Sequence, residues 1–177
     1  MFQRRLLVGG GARGVRRNRS FRHDGLDPTI QGTTAARRFS MSAIPAARME
    51  IVWRPAGARC EYCQLHQDES LFTFHVDHVI SKQHGGSDEL DNLCLACTQC
   101  NLQKGPNLAG LRSGKLYQLF NPRTQSWHRH FEWDQTTLVG KTATGEVTVQ
   151  VLDINSDERI MRREALLLEG RFPPEET

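Results

Sequence analysis

Between Leu71 and Ile80 the chain reads LFTFHVDHVI, in which apolar and polar positions alternate and aromatic and β-branched residues predominate. That is the pattern of a strand lying against a core. Side chains alternate between the faces of a strand, so Phe72, Phe74, Val76 and His78 share one face and Thr73, His75 and Asp77 the other. Gly85 and Gly86 mark a loop, DNLCLAC is an extended return segment, and Thr98 to Lys104 forms two helical turns closed by Gly105 and Pro106. Upstream, Ser42 as cap and Pro45 in the first turn open a short helix to about Trp53, which Pro55 ends, and CEYC follows in a turn. Downstream, the segment HFEWDQTTLVGKTATGEVTVQVLDI alternates around Gly140 and around Thr144-Gly145, which predicts two or three further antiparallel strands. A last helix runs from about Asp157 to Glu169, capped by Asn155 or Ser156 and stopped by Gly170, with Ile160, Met161, Ala165 and Leu168 packing it down. These elements predict an α+β domain without internal repeats.

The 177 residues, 38% of them hydrophobic, suffice for one domain with its own core but not for two. No apolar run approaches a membrane span, and the short LLV near the start is no secretory signal, so a cytoplasmic protein with reduced cysteines is expected. The formal charge of +3 hides an asymmetry: residues 1–40 carry nine arginines against Asp24 and Asp27, net +7, which leaves −4 for residues 41–177. The first 40 residues, rich in Gly, Arg and Thr and without apolar periodicity, cannot bury enough to fold alone and read as a disordered extension. A transit-like segment or a nucleic-acid-binding arm would have this composition; a chain that properly begins at Met41 is the preferred reading. The folded part, 41–177, then divides into a motif core at 58–108 and a C-terminal extension at 109–177. From Asn92 to Phe131 there is no acid, only Lys104, Arg112, Lys115, Arg123 and Arg129, so a phosphate-facing surface including Lys115 is expected there beside the simpler reading of a solvated face.

Five cysteines without a secretion signal argue for metal binding over disulfides. Cys60, Cys63, Cys97 and Cys100 form CxxC, a 33-residue gap and CxxC, a set of four thiolates that closes a tetrahedral structural zinc site. The long gap is explained if a functional module is inserted between the two pairs and pinned at both ends by zinc. Cys94 is left over as a small buried residue on the return strand.

Inside the insert lie HVDHVI, Asp91-Asn92 and CNLQKG. An imidazole suits a general base near pH 7 and a carboxylate suits a hard divalent cation. Asp77 and His78 fall on opposite strand faces, but a turn right after Asp77 would swing His78 across a metal. Asn101, next to Cys100, is placed to offer its amide oxygen to the same ion, and Lys104 shares its helix face and could touch a phosphate. His75, on the face of Asp77, could assist the metal or contact DNA; His84 is weaker, and His128 and His130 have no evident partner.

With these residues in view, 58–108 resembles the HNH endonuclease family, whose signature is a DH pair on a strand, a central Asn and a final His or Asn, often beside a CxxC zinc pair. The likeness continues more weakly to about Pro174, as in small stand-alone bacterial members, and residues 1–40 lie outside it. The resemblance implies a ββα-metal core in which His78 is the general base, Asn92 fixes the loop, Asp77 and Asn101 hold the catalytic cation, and a backbone carbonyl orients the ring of His78. Asn101 in place of the more frequent final His makes this an HNN variant, whose oxygen ligands favour Mg²⁺ or Mn²⁺. Ser81 stands where many members have proline.

The activity implied is one-metal hydrolysis of DNA, leaving a 5′-phosphate and a 3′-hydroxyl and needing a neutral His78, hence rising through an ordinary imidazole pKa of about 6.5. The alternative is a zinc-stabilised nucleic-acid-binding module without cleavage, and a third reading is a partner-binding scaffold. RNA as substrate, sequence specificity, pathway and the choice between monomer and dimer are open at this stage.

Overall fold

The computed structural model describes residues 46–173; the Arg-rich extension 1–40 and the expected cap at Ser42 and Pro45 lie outside the described residues. The first helix, α1, spans Ala46–Trp53. The strand expected over Leu71 to Ile80 is only four residues long: β1 is His75–His78. The reason lies in Gln67, whose side chain accepts a hydrogen bond from Phe74 N at 2.6 Å and donates to Phe72 O at 3.0 Å. Backbone groups that a longer strand would pair with a neighbour are satisfied by one amide instead. Leu71, 95% exposed, therefore points to solvent despite its place in the alternation.

Strand β2, Leu93–Ala96, pairs antiparallel with β1, setting His75 opposite Ala96, Asp77 opposite Cys94 and His78 opposite Leu93. All four β2 residues are buried, which is why NLCLA reads as a continuous apolar run rather than an alternating one. Helix α2, Thr98–Lys104, follows directly; Cys97 caps it, its sulfur accepting from Cys100 N, and Gly105 ends it at φ +46°. Strand, loop, strand and helix thus succeed one another as the periodicity predicts.

The two CxxC pairs meet at this unit. The four ligand sulfurs, all buried and free of disulfides, lie within 4.8 Å of one another, with Cys63 and Cys97 Sγ atoms 3.8 Å apart. Tetrahedral zinc with Zn–S near 2.3 Å sets sulfurs about 3.8 Å apart, so the donors fit that ion in chemistry and spacing. Cys94 stands outside the set: burial pushes its thiol up to about 12, and its sulfur donates to the Tyr62 hydroxyl at 3.4 Å. Glu61, inside the first pair, clips the turn to β2 by exchanging hydrogen bonds with Leu95.

Beyond residue 108 the fold departs from expectation. A hairpin, β3 (Ala109–Arg112) with β4 (Lys115–Gln118), turns on Ser113 and Gly114, both at positive φ. A short turn of helix, α3 (Trp127–His130), precedes a second hairpin of β5 (Phe131–Asp134) and β6 (Thr137–Gly140). The second hairpin turns at Gln135, not at Gly140. The strands expected around Thr144-Gly145 are instead a helix, α4 (Ala143–Val151). Its β-branched residues suit a strand intrinsically, but tertiary packing overrides that preference. Val147 and Thr148 are fully buried, the Thr148 hydroxyl accepts from Phe120 N and donates to Thr144 O, and Thr142 caps the helix through Gly145 N. The approach is close: a Cβ on Gly145 would sit 2.1 Å from His130 O. Among the described residues the strands of this α+β fold form three separate two-stranded sheets.

The last helix, α5 (Asp157–Leu168), agrees with its expected bounds but packs through different residues. Met161 and Leu168 are 60% and 90% exposed, while Arg159, Arg163 and Leu166 are buried. Arg159 donates to Cys100 Sγ at 2.9 Å and to Leu152 O at 2.9 Å; Arg163 reaches Thr136 O, Ile154 O and Asn155 Oδ1 and lies over the Trp133 ring. Four thiolates around Zn²⁺ carry a net charge of about −2, and a buried guanidinium offsets part of it. Trp127 adds a second tie, donating from Nε1 to Tyr62 O at 2.9 Å. Among the described residues no helix is long and apolar enough to cross a membrane.

Arg159→Ala removes one partner of a buried charge contact and should destabilise the fold by about 3–5 kcal/mol, read as a lower urea midpoint. Cys100→Ser should release zinc to a chromogenic chelator and abolish cooperative unfolding.

Candidate active site

The site begins where β1 ends. Asn92, buried, accepts from Ile80 N at 2.8 Å and donates to Ile80 O and Ser87 O, each at 2.9 Å, while its carbonyl accepts from Val79 N. One amide thereby closes the loop from residue 79 to residue 92 at its base and stops the strand directly after His78. Gly86 is required by the same closure, because a Cβ there would lie 1.7 Å from Ile80 O. A turn of 3-10 helix at Lys82–His84, ended by Gly85 at φ +80°, completes the loop.

His78 is half-buried and its Nε2 lies 2.7 Å from Oδ1 of Asp88. Lys82 Nζ is 3.0 Å from the other oxygen of that carboxylate. The hydrogen bonds from His78 and Lys82 hold the Asp88 carboxyl down at about 2. A side-chain carboxylate therefore stands at Nε2; the resemblance implied only that a backbone carbonyl orients the ring.

Asp77 faces inward. Lys104 Nζ lies 3.1 Å from its Oδ2 and donates to His78 O at 2.7 Å. Burial raises the Asp77 carboxyl above the usual carboxylate range, and the Lys104 charge pulls in the opposite direction. Oδ2 of Asp77 is buried and, although in ion-pair contact, has no partner in hydrogen-bonding geometry among the described residues. Asn101, the other residue expected to hold a cation, lies on the adjoining helix α2. Asn101 is half-buried on α2, one turn before Lys104, and so shares its side of the helix.

Lys104 itself is only 2% exposed, so the phosphate contact expected of it gives way to a structural one: it ties α2 to Asp77 and to the end of β1. Of the other four basic residues in the acid-free stretch, two are paired within the molecule, Arg112 with Glu146 and Arg123 with Glu61. Lys115 and Arg129 are exposed. His75 is exposed with Nε2 3.4 Å from Thr98 Oγ1, and His84 and His128 are exposed. His130 has a partner that the sequence did not reveal, the Thr142 hydroxyl 2.6 Å from Nδ1. Asp88 and Lys82 were likewise not singled out; their one signal is position, immediately around the two glycines of a loop that starts at His78.

Asn92→Ala leaves both backbone groups of Ile80 without their side-chain partner in a part-buried setting. The expected loss is about 2–4 kcal/mol in chemical denaturation with zinc still bound.

Residues 60–107 match the family model described as HNH endonuclease. Among curated proteins, the chain is 28% identical over 105 residues to the Septu protein PtuB of Bacillus thuringiensis, an alignment covering 58% of this chain and 39% of that protein. The chain thus spans well under half the length of that relative. No solved structure matches the chain. The clasp, the hairpin, the Asn92 loop and α2 all fall within residues 60–107, the segment that matches the HNH endonuclease model.

Proposed function

We propose that the protein is a metal-dependent endonuclease that hydrolyses phosphodiester bonds in DNA. The observation that carries this reading is the placement, inside the HNH-matched segment, of a carboxylate-bound His78 next to an inward-facing Asp77. In this reading β1 and β2 with α2 form the ββα-metal core of the family.

A divalent cation, Mg²⁺ or Mn²⁺, held by Asp77 and Asn101, would supply positive charge to a bound phosphate and to the departing 3′-oxygen. His78 takes the proton of a water that attacks phosphorus in line with that oxygen. The P–O3′ bond breaks as the new P–O bond forms, leaving a 5′-phosphate and a 3′-hydroxyl. Asn92 holds the end of β1 so that His78 keeps its place, and Lys104 holds the carbonyl of His78 and one oxygen of Asp77. Lys115 and His75, both exposed, are the side chains assigned to the DNA backbone. The Cys60, Cys63, Cys97 and Cys100 set holds zinc in a structural role.

One observation favours the rival, a zinc-stabilised nucleic-acid-binding module without cleavage: an ammonium group already stands 3.1 Å from the Asp77 oxygen that a cation would use. Supercoiled plasmid at low salt, with and without Mg²⁺ or Mn²⁺, separates the two. The expected result is metal-dependent nicking, lowered about 100- to 10,000-fold in His78→Ala and abolished in Asp77→Ala. If wild type and both variants shift the plasmid on a gel and none nicks it, the binding-module reading replaces the nuclease.

A further inference from the structure

The ring of His78 is gripped by a group that hydrolysis by itself does not call for. Asp88 presents Oδ1 to Nε2 at 2.7 Å, and its position is set from several sides. Its carbonyl accepts from Arg48 on α1, the carbonyl of the preceding Ser87 accepts from Asn92, and its second carboxylate oxygen lies 3.0 Å from Lys82 Nζ. The same amide that ends β1 beneath His78 therefore also fixes the backbone that carries Asp88. Orientation of ring and carboxylate is shared through one clamp.

The chemistry of the contact is one-sided. An ionised carboxylate only accepts hydrogen bonds, and a neutral imidazole has one N–H and one lone pair. With Lys82 at its far oxygen, Asp88 stays ionised, so the hydrogen between the two groups belongs to the ring. We propose that Asp88 is a positioning residue whose carboxylate fixes His78 as the Nε2–H tautomer, leaving Nδ1 as the atom with the free lone pair. Resting on the nuclease reading, Nδ1 is then the atom that receives the proton of the attacking water. In a purely structural role Asp88 would close the loop without determining the tautomer.

The test uses the full zinc-loaded chain labelled with ¹⁵N-histidine, the His78 ring signals being identified by their loss in His78→Ala. The expected spectrum at a pH where the ring is neutral has a protonated-type shift at Nε2 and an unprotonated-type shift at Nδ1. In Asp88→Asn the amide can donate to Nε2, and the tautomer should invert; Asp88→Glu, which keeps the carboxylate, should retain the wild-type pattern. Plasmid nicking by Asp88→Asn should fall about 10- to 100-fold in kcat with KM changed less than about twofold. An Nδ1–H ring in the wild type, or the same tautomer in wild type and Asp88→Asn, overturns the proposal whatever the nicking assay gives. An inverted tautomer with no cleavage by the wild type upholds the role of Asp88 and sinks the nuclease reading alone.

Discussion

Four sulfur atoms within 4.8 Å of one another join the turn at Cys60–Cys63 to the first turn of α2, and the positions of the other site residues are referred to that joint. Between the two pairs the chain has a single short hairpin, a loop held by one amide and little regular structure besides. Such a stretch buries too little to order itself. With both ends tied, the entropy of closing it is already met, and a few directional contacts then suffice to select one geometry.

Those contacts form a chain that runs from the clasp to the site. Cys97 caps α2, which places Asn101 and Lys104 on one side of it, and Lys104 reaches back to Asp77 and to the carbonyl of His78. A buried ammonium beside a buried carboxylate contributes little net stability, but breaking it would strand a charge, so the pair fixes the register between helix and strand. Asn92 does the equivalent for the loop. Helix, strand end and loop are thereby held by three polar groups whose alternatives are all costly, and precision at the site comes from that rather than from a large local core.

What could be read from the sequence and what could not divides along physical lines. The CxxC spacing, the Gly105 stop after Lys104 and the cap before Asp157 act locally, and the elements they mark lie where they were expected. The Ser113-Gly114 turn of the β3–β4 hairpin lies in a segment read for its charge alone, and α4 has the composition of strands because its helical form rests on tertiary contacts, the Thr148 hydroxyl with Phe120 N and the close approach of Gly145 to His130. At the site, the carboxylate, amide and imidazole residues are spaced as a motif, whereas the Asp88 contact depends on the three-dimensional path of a loop, and the burial of Lys104 depends on where Asp77 points. The sequence pattern points to an apolar stripe on α5, yet its inward face includes Arg159 and Arg163; a guanidinium can be interior when thiolates and carbonyls receive its hydrogens.

The bond from Arg159 to Cys100 spans 59 residues, and this has a temporal side. During synthesis all four thiolates are in hand once residue 100 has emerged, whereas the guanidinium that offsets their charge arrives only after both C-terminal hairpins and α4 have been made. Until α5 docks, the four sulfurs lack the hydrogen bond that Arg159 gives Cys100 Sγ, so the surroundings of the clasp are completed by one of the last segments to be made.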